Sequence, residues 1–332
     1  MKKIKTAVIG VGSLGRHHLK WLNRLPQSQL VGLYDSDTEK ARQYAEEYNI
    51  TAFGSLAELA AQVEAVSIVV PTTAHFETAL FFIERGIHCL IEKPVTSDFE
   101  SAHKLENMVA AKKNLKVTVG QIERFNPAVQ GMKDLALKPS FIEAHRLAAF
   151  DPRGTDVAVV LDLMIHDIDL VLYFIKSKIV DIQASAVAVV SDQADIANAR
   201  LTFDNGAVAN LTASRISLHA MRKLRIFQRD GYYSIDLAKK QADLYRLAAG
   251  GNDTDGMRVP LGKSGKDLVY KKVNDSGEDM LGRELECFLK AIINDEPVAV
   301  TIEEATEALR VALEIEKIGI STIRRMMEAE PG

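Results

Sequence analysis

The apolar positions change period along the chain, and the change marks two regions. Residues 4–9 form a short β-branched run that reads as a buried strand. Gly10, Gly12 and Gly15 follow, then a helical pattern that Pro26 stops. A second strand is predicted over 30–34, ending at Asp35. Ser36 with Glu39 has the spacing of a capping box for a helix to about Tyr48. A weak strand near Thr51 and a short helix from Ser55 come next, and then an apolar strand over 65–70 closed by Pro71. The following helix runs to about Arg85, with Gly86 placed as its stop. A strand over 88–91 leads into Glu92-Lys93-Pro94; Ser97 and Glu100 suggest a second capping box, and a strand follows over 116–120. Apolar strands separated by helices imply parallel βαβ units with right-handed crossovers.

Beyond residue 123 the pattern differs. A helix over 123–137 is expected, with Asn126 as cap and Pro127 in the first turn. Strand-like runs follow at 141–148 and 179–190, and Asp204-Asn205-Gly206 joins two more into a hairpin. Arg229-Asp230-Gly231 joins another pair. One apolar helix over 157–174 interrupts these strands. Residues 248–277, rich in Gly, Asp and Lys, read as a mobile loop, and helices over 284–293 and 302–327 close the chain. The fold class expected is α/β. Residues 1–122 form a Rossmann-type doubly wound parallel sheet, and 123–332 an α+β domain with a large, mostly antiparallel open sheet.

Composition narrows the function classes. The 332 residues hold 47% hydrophobic and 26% charged side chains, an ordinary globular balance. A net charge of −4 gives no footprint for nucleic acid. Three lysines precede the apolar run of 7–11, but the run is too short for a signal peptide. The most apolar stretch, 157–175, carries Asp162, His166, Asp167 and Asp169, so no membrane span is expected. Cys89 and Cys287 have no metal or redox spacing and read as two buried thiols in a reducing cytoplasm; no metal site is expected.

Gly10-Val11-Gly12-Ser13-Leu14-Gly15 matches G-x-G-x-x-G between a predicted strand and a helix, the context in which that pattern carries meaning. Gly10 allows the tight turn, Gly12 lets backbone approach a pyrophosphate, and Gly15 lets the helix pack closely. The helix N-terminus offers N–H groups and positive dipole to the anion. Asp35 stands twenty residues beyond Gly15, where a carboxylate accepts from both ribose hydroxyls and repels a 2′-phosphate. The cofactor expected is therefore NAD, with NADP the lesser alternative. His17 and His18 open the helix and read as surface or packing residues.

Lys93 follows a strand at the carboxyl edge of the sheet, where such folds bind ligands, although a turn lysine there is equally an ordinary surface charge. Asp162 and His166 lie four apart in an apolar helix, hence on one face. A carboxylate there orients an imidazole and leaves the other nitrogen to exchange a proton. The same spacing also suits a purely structural pair.

Four motifs resemble the glucose–fructose oxidoreductase and inositol dehydrogenase family, Gfo/Idh/MocA. They are the glycine motif, Pro71-Thr72-Thr73-Ala74-His75, Glu92-Lys93-Pro94 and Asp162-x-x-x-His166, in family order across nearly the whole chain. The resemblance implies that His166 takes the proton of a sugar hydroxyl, that Asp162 orients it, and that Lys93 bonds the reacting oxygen. Gly10, Gly12, Ser13, Leu14, Gly15, Asp35, Pro71, Thr72, His75, Glu92, Lys93 and Pro94 would line the cofactor. The Lys-Pro bond in that family is often cis. The family usually has Asn at one of the two positions after Pro71, where this chain has Thr72 and Thr73.

Residues 120–127, Gly-Gln-Ile-Glu-Arg-Phe-Asn-Pro, resemble a subgroup proposed to oxidise C3 of UDP-N-acetylglucosamine-type sugars in making amino sugars for lipid A or surface glycans. On that basis Lys93, Arg124, Asn126 and His166 are candidate substrate contacts, though Arg124 also suits a domain-hinge salt bridge. The substrate expected is a nucleotide-activated sugar oxidised to a 3-keto sugar. The alternatives are a dehydrogenase or reductase acting on a free sugar, an inositol, a diol or a pigment, and a non-catalytic NAD-bound redox sensor. An apolar sheet face needs cover, so a homodimer or homotetramer is expected.

Overall fold

The structure, a computed structural model, describes residues 2–150, 157–248, 256–261 and 266–329. The chain forms two compact units, one of Met1–Phe125 with Glu278–Leu309 and one of Asn126–Gly277 with Arg310–Gly332.

The first unit is built on six strands: β1 (Ile4–Ile9), β2 (Ser28–Tyr34), β3 (Thr51–Ala52), β4 (Ala65–Ile68), β5 (His88–Glu92) and β6 (Val117–Gly120). All pair in parallel, in the order β3-β2-β1-β4-β5-β6. That is the doubly wound order of dinucleotide-binding sheets, with its reversal between β1 and β4. Helices α1 (Gly15–Arg24), α2 (Thr38–Tyr48), α3 (Leu56–Ala60), α4 (His75–Glu84) and α5 (Phe99–Ala110) connect them. The helix starts for α2 and α5 are one residue later than the capping-box reading. Asp37 accepts from Lys40 N–H and Asp98 from Ser101 N–H. In both places Asp, an N-cap as good as Ser, stands one residue nearer the helix and takes the position.

A single cut after Ile122 would leave 278–309 out of this unit. Instead α8 (Met280–Asn294) packs on α1, with Leu281, Leu285, Phe288 and Leu289 joining Leu19 and Leu22 in one apolar core. The approach is close enough that a Cβ on Gly282 would stand 2.9 Å from the Trp21 ring. Farther along, Thr118 on β6 donates to Val300 O at 2.9 Å.

Among the described residues the second unit holds nine strands. They are β7 (Phe141–Leu147), β8 (Ile179–Val187), β9 (Ile196–Phe203), β10 (Val208–Ser214), β11 (Met221–Gln228), β12 (Gly231–Asp236), β13 (Gln241–Leu247), β14 (Met257–Pro260) and β15 (Asp267–Val273). Their order is β14-β15-β13-β12-β11-β7-β10-β9-β8, and the pairing is antiparallel except between β7 and β10. Alternation decides which face is buried. Ile142, Ala144 and Arg146 of β7 are buried and the residues between them are half-exposed.

Three expectations are corrected here. The loop reading of 248–277 gives way to β14 and β15, and its parts at 249–255 and 262–265 lie outside the described residues. The helix expected over 123–137 is a 3-10 turn (Ile122–Phe125) and then α6 (Pro127–Gln130). Asn126 does cap it, accepting from Ala128 N–H. The long helix expected over 157–174 begins as a π turn (Val160–Met164) and becomes α7 (Ile165–Ile175). The last helix, α9, spans Ile302–Ala329.

Candidate active site

At the carboxyl ends of β1, β2, β4 and β5 lies a cleft of about 660 Å³. Gly10, Gly12, Ser13, Leu14, Asp35, Pro71, Thr72, His75, Glu92 and Lys93 line it together, although the chain separates them by more than eighty positions. The three glycines are required for different reasons. Gly10 has φ +87°, and a Cβ there would meet Val69 O at 2.6 Å. A Cβ on Gly15 would fall 2.0 Å from Gly10 O, so the helix starts this close to the strand only without one. At Gly12 a Cβ would meet nothing within 4 Å. Glycine there answers no need of the fold, and it leaves the backbone open to whatever the cleft holds. The open backbone at Gly12 and the helix N-terminus beside it fit the pyrophosphate of a dinucleotide.

Asp35 is fixed by two backbone donors. Its Oδ2 accepts from Val11 N–H at 2.7 Å and its Oδ1 from Asp37 N–H at 2.9 Å. The carboxylate is thereby held against the glycine loop at the end of β2. Lining residues given no cofactor role in the sequence reading include Tyr34, Ser36, Lys40, Leu56 and Thr78. Their common signal is position just beyond a strand end or in the first turn of the next helix, which a motif search ignores. Lys40 faces Asp37 across 3.4 Å.

The Lys93–Pro94 bond is cis. Glu92, mostly buried, accepts the Lys93 N–H on Oε2 at 3.2 Å. His75 has both ring nitrogens against backbone carbonyls, Nδ1 at 2.8 Å from Pro94 O and Nε2 at 2.9 Å from Val70 O. The pair at the helix start divides: His17 is exposed, whereas His18 is fully buried. Of the thiols, Cys89 is buried, and its burial pushes it well above the usual thiol range, while Cys287 is half-exposed.

In the second unit Asp162 lies within the π turn and His166 in the first turn of α7, both half-buried. Single π turns recur at functional sites. The neighbouring Asp167 points to the sheet instead. Arg146 of β7 donates from Nε to Oδ2 at 3.0 Å and from Nη2 to Oδ1 at 2.8 Å, with both side chains nearly inaccessible. This fork-to-carboxylate pair fixes how α7 is rotated against the sheet, and with it the face that carries Asp162 and His166.

Two candidate substrate contacts also have partners within the fold. Arg124 is 5% exposed and its Nη1 lies 3.0 Å from Glu304 Oε2, a salt bridge inside the first unit rather than at a hinge between the two. Asn126 is 1% exposed; it caps α6 through Oδ1 and donates from Nδ2 to Leu237 O at 2.9 Å. Both ends of its carboxamide serve the fold.

Comparison with known proteins gives matches over most of the chain. A model described as "Oxidoreductase family, NAD-binding Rossmann fold" matches residues 4–121, and the Gfo/Idh/MocA C-terminal domain model matches 142–234. UDP-N-acetylglucosamine 3-dehydrogenase of Acidithiobacillus ferrooxidans is 40% identical over 95% of this chain and 97% of its own length. A solved structure of that enzyme superposes with a TM-score of 0.87, covering 97% of this chain and 99% of that one at 39% identity. Inositol 2-dehydrogenase of Rubrobacter xylanophilus is 29% identical over 54% of this chain and 55% of its own. The scyllo-inositol dehydrogenase of Lactobacillus casei shares the fold, with a TM-score of 0.78 at 19% identity.

Proposed function

Because this chain belongs to the Gfo/Idh/MocA family of NAD-binding oxidoreductases, we propose that it oxidises the C3 hydroxyl of UDP-N-acetylglucosamine, or a close UDP-hexosamine, to a 3-keto sugar. The observation that carries this reading is the near full-length likeness to an enzyme named for that reaction, in a chain that has Lys93, Asp162 and His166. Bound in the cleft, NAD would supply the acceptor for the hydride leaving the sugar carbon.

The chain's own residues do the rest. The glycine loop and the N-terminus of α1 hold the pyrophosphate. Asp35 accepts from the ribose hydroxyls, and its charge, placed where a 2′-phosphate would sit, favours NAD over NADP. Lys40 lines the same cleft with Asp37 beside it, so its charge is already partly answered. As the carbon–hydrogen bond breaks, His166 takes the hydroxyl proton and the carbonyl forms. Asp162 accepts from the imidazole and stabilises its charged form, and the Lys93 ammonium donates to the reacting oxygen. Arg124 and Asn126 are left out of the substrate contacts.

Oligomerisation is part of the proposal. Phe141, Phe227, Tyr232, Tyr245 and Tyr270 are directly cross-strand partners on β7, β11, β12, β13 and β15. Successive rings lie 5.7, 4.9, 5.9 and 5.1 Å apart on the half-exposed face. An aromatic stripe of this length suits burial against a second copy, as a homodimer or homotetramer. The free thiols suit work in the reducing cytoplasm.

Absorbance at 340 nm, with NAD and each of UDP-N-acetylglucosamine, its uronate, free hexoses and inositols, tests the reading. A rise with the UDP-sugar supports it. A rise with inositol or a free hexose alone replaces the substrate and keeps the reaction class.

A further inference from the structure

The segment that carries Lys93 is reached by two buried histidines from two different helices. His18, in α1, has no accessible surface. Its Nδ1 lies 2.7 Å from Ser67 Oγ on β4. Its Nε2 lies 3.2 Å from Oε1 of Glu92, within ion-pair range but off the line of a good hydrogen bond. The other oxygen of Glu92 accepts the Lys93 N–H. Room for this carboxylate comes from Gly120, where a Cβ would stand 2.9 Å from Glu92 Oε1. A mostly buried carboxylate needs such partners to stay where it is.

His75, at the start of α4, is 1% exposed. Its ring spans the loop after β4, at Val70 O, and the loop after β5, at Pro94 O. Both targets are acceptors, so a neutral ring donates to one at a time, and neither nitrogen is left to bond a ligand. The residue before Lys93 is thus held through its side chain and the residue after it through its carbonyl.

We propose that His18 and His75 are positioning residues that brace Glu92 and Pro94, and so fix the point in the cleft at which the Lys93 ammonium is presented. This rests on the reading of Lys93 as the donor to the reacting oxygen. The brace uses one particular nitrogen of each ring, Nε2 of His18 and Nδ1 of His75. A packing role would not depend on that choice.

Asparagine and glutamine separate the two roles, since the Asn amide falls near the place of Nδ1 and the Gln amide near that of Nε2. His18→Gln and His75→Asn keep the contact toward the Lys93 segment. His18→Asn and His75→Gln keep only the contact to Ser67 or Val70. We expect kcat to fall about 20-fold or more in the second pair and less than about fivefold in the first, with KM for NAD changed about twofold at most. Melting temperatures should not divide the four variants in the same way. Losses that follow melting temperature regardless of which nitrogen is replaced would overturn the brace, as would parent kcat in all four. A second readout needs no turnover: the rate at which acetic anhydride acylates Lys93, followed by peptide mass spectrometry. It should change about threefold or more in His18→Asn and His75→Gln and stay at the parent value in the other two. If Lys93→Met keeps the parent turnover, the catalytic reading of Lys93 fails. The acylation rates then decide the brace alone, a threefold change supporting it and unchanged rates overturning it.

Discussion

At the scale of single residues, the glycine loop shows how one motif serves two purposes. Gly10 and Gly15 answer to the fold, because a side chain at either would run into backbone at 2.6 or 2.0 Å. Gly12 meets no such obstacle, because the space beside it is open, and in the proposed reading that space admits the cofactor. Substitution should separate these purposes. Gly15→Ala is expected to destabilise the first unit outright. Gly12→Ala should leave the melting temperature unchanged or slightly raised, since alanine lowers the entropy of the unfolded chain. It should weaken NAD at least about tenfold, or roughly 1.4 kcal/mol, by calorimetry. Unchanged NAD affinity in Gly12→Ala would mean that the cofactor does not approach the loop there. The sequence alone made this loop legible, because its meaning is fixed by local spacing. It did not reveal the burial of His18 or the placement of both His75 ring nitrogens against backbone carbonyls. Both depend on which strands lie side by side, and no local pattern reports that.

At the scale of elements, strands and helices with strong periodicity were legible and irregular ones were not. β7, β9 and β10 alternate cleanly, so their inward faces follow from the pattern. β15 hides its pattern behind Asp267, Lys271 and Lys272, the charges expected of a strand near a sheet edge. The π turn has no sequence signature, and its four-residue Asp–His spacing reads as ordinary α-helix. What holds that region is the Arg146–Asp167 pair beneath it. Asp167→Asn removes the charge from one side of a buried two-bond ion pair, at a cost of about 3–5 kcal/mol in the unfolding free energy of the second unit. Asp162→Asn, on a half-buried side chain, should cost far less. Denaturant titration of both variants checks the contrast, and equal losses would show that the buried pair does not anchor α7.

At the scale of the whole molecule, the chain order of the elements does not match the two units, since 278–309 joins the first. The cause is apolar matching. α8 presents Leu281, Leu285, Phe288 and Leu289 to a helix more than 250 residues earlier, and a reading by composition shift alone cannot see such a pairing. The open sheet face raises the other question of this scale. Its aromatic stripe is bordered by the Arg225–Glu143 ion pair and ends at Tyr270, whose hydroxyl donates to Asp243 and whose pKa that bond pushes up to about 12. Light scattering should give a mass two or four times the chain's 36.6 kDa. Tyr232→Arg combined with Tyr245→Arg should shift it toward one chain without loss of secondary structure. A parent protein that is already monomeric would remove this face from the account.

The central claim is hydride transfer with His166 as the proton acceptor, and the variant His166→Asn tests it most directly. NADH formation from UDP-N-acetylglucosamine, followed at 340 nm beside the Kd for NAD, should fall about a hundredfold or more while the Kd changes about twofold at most. Turnover within about tenfold of the parent, at the same NAD affinity, would contradict the assignment and move the proton acceptor elsewhere.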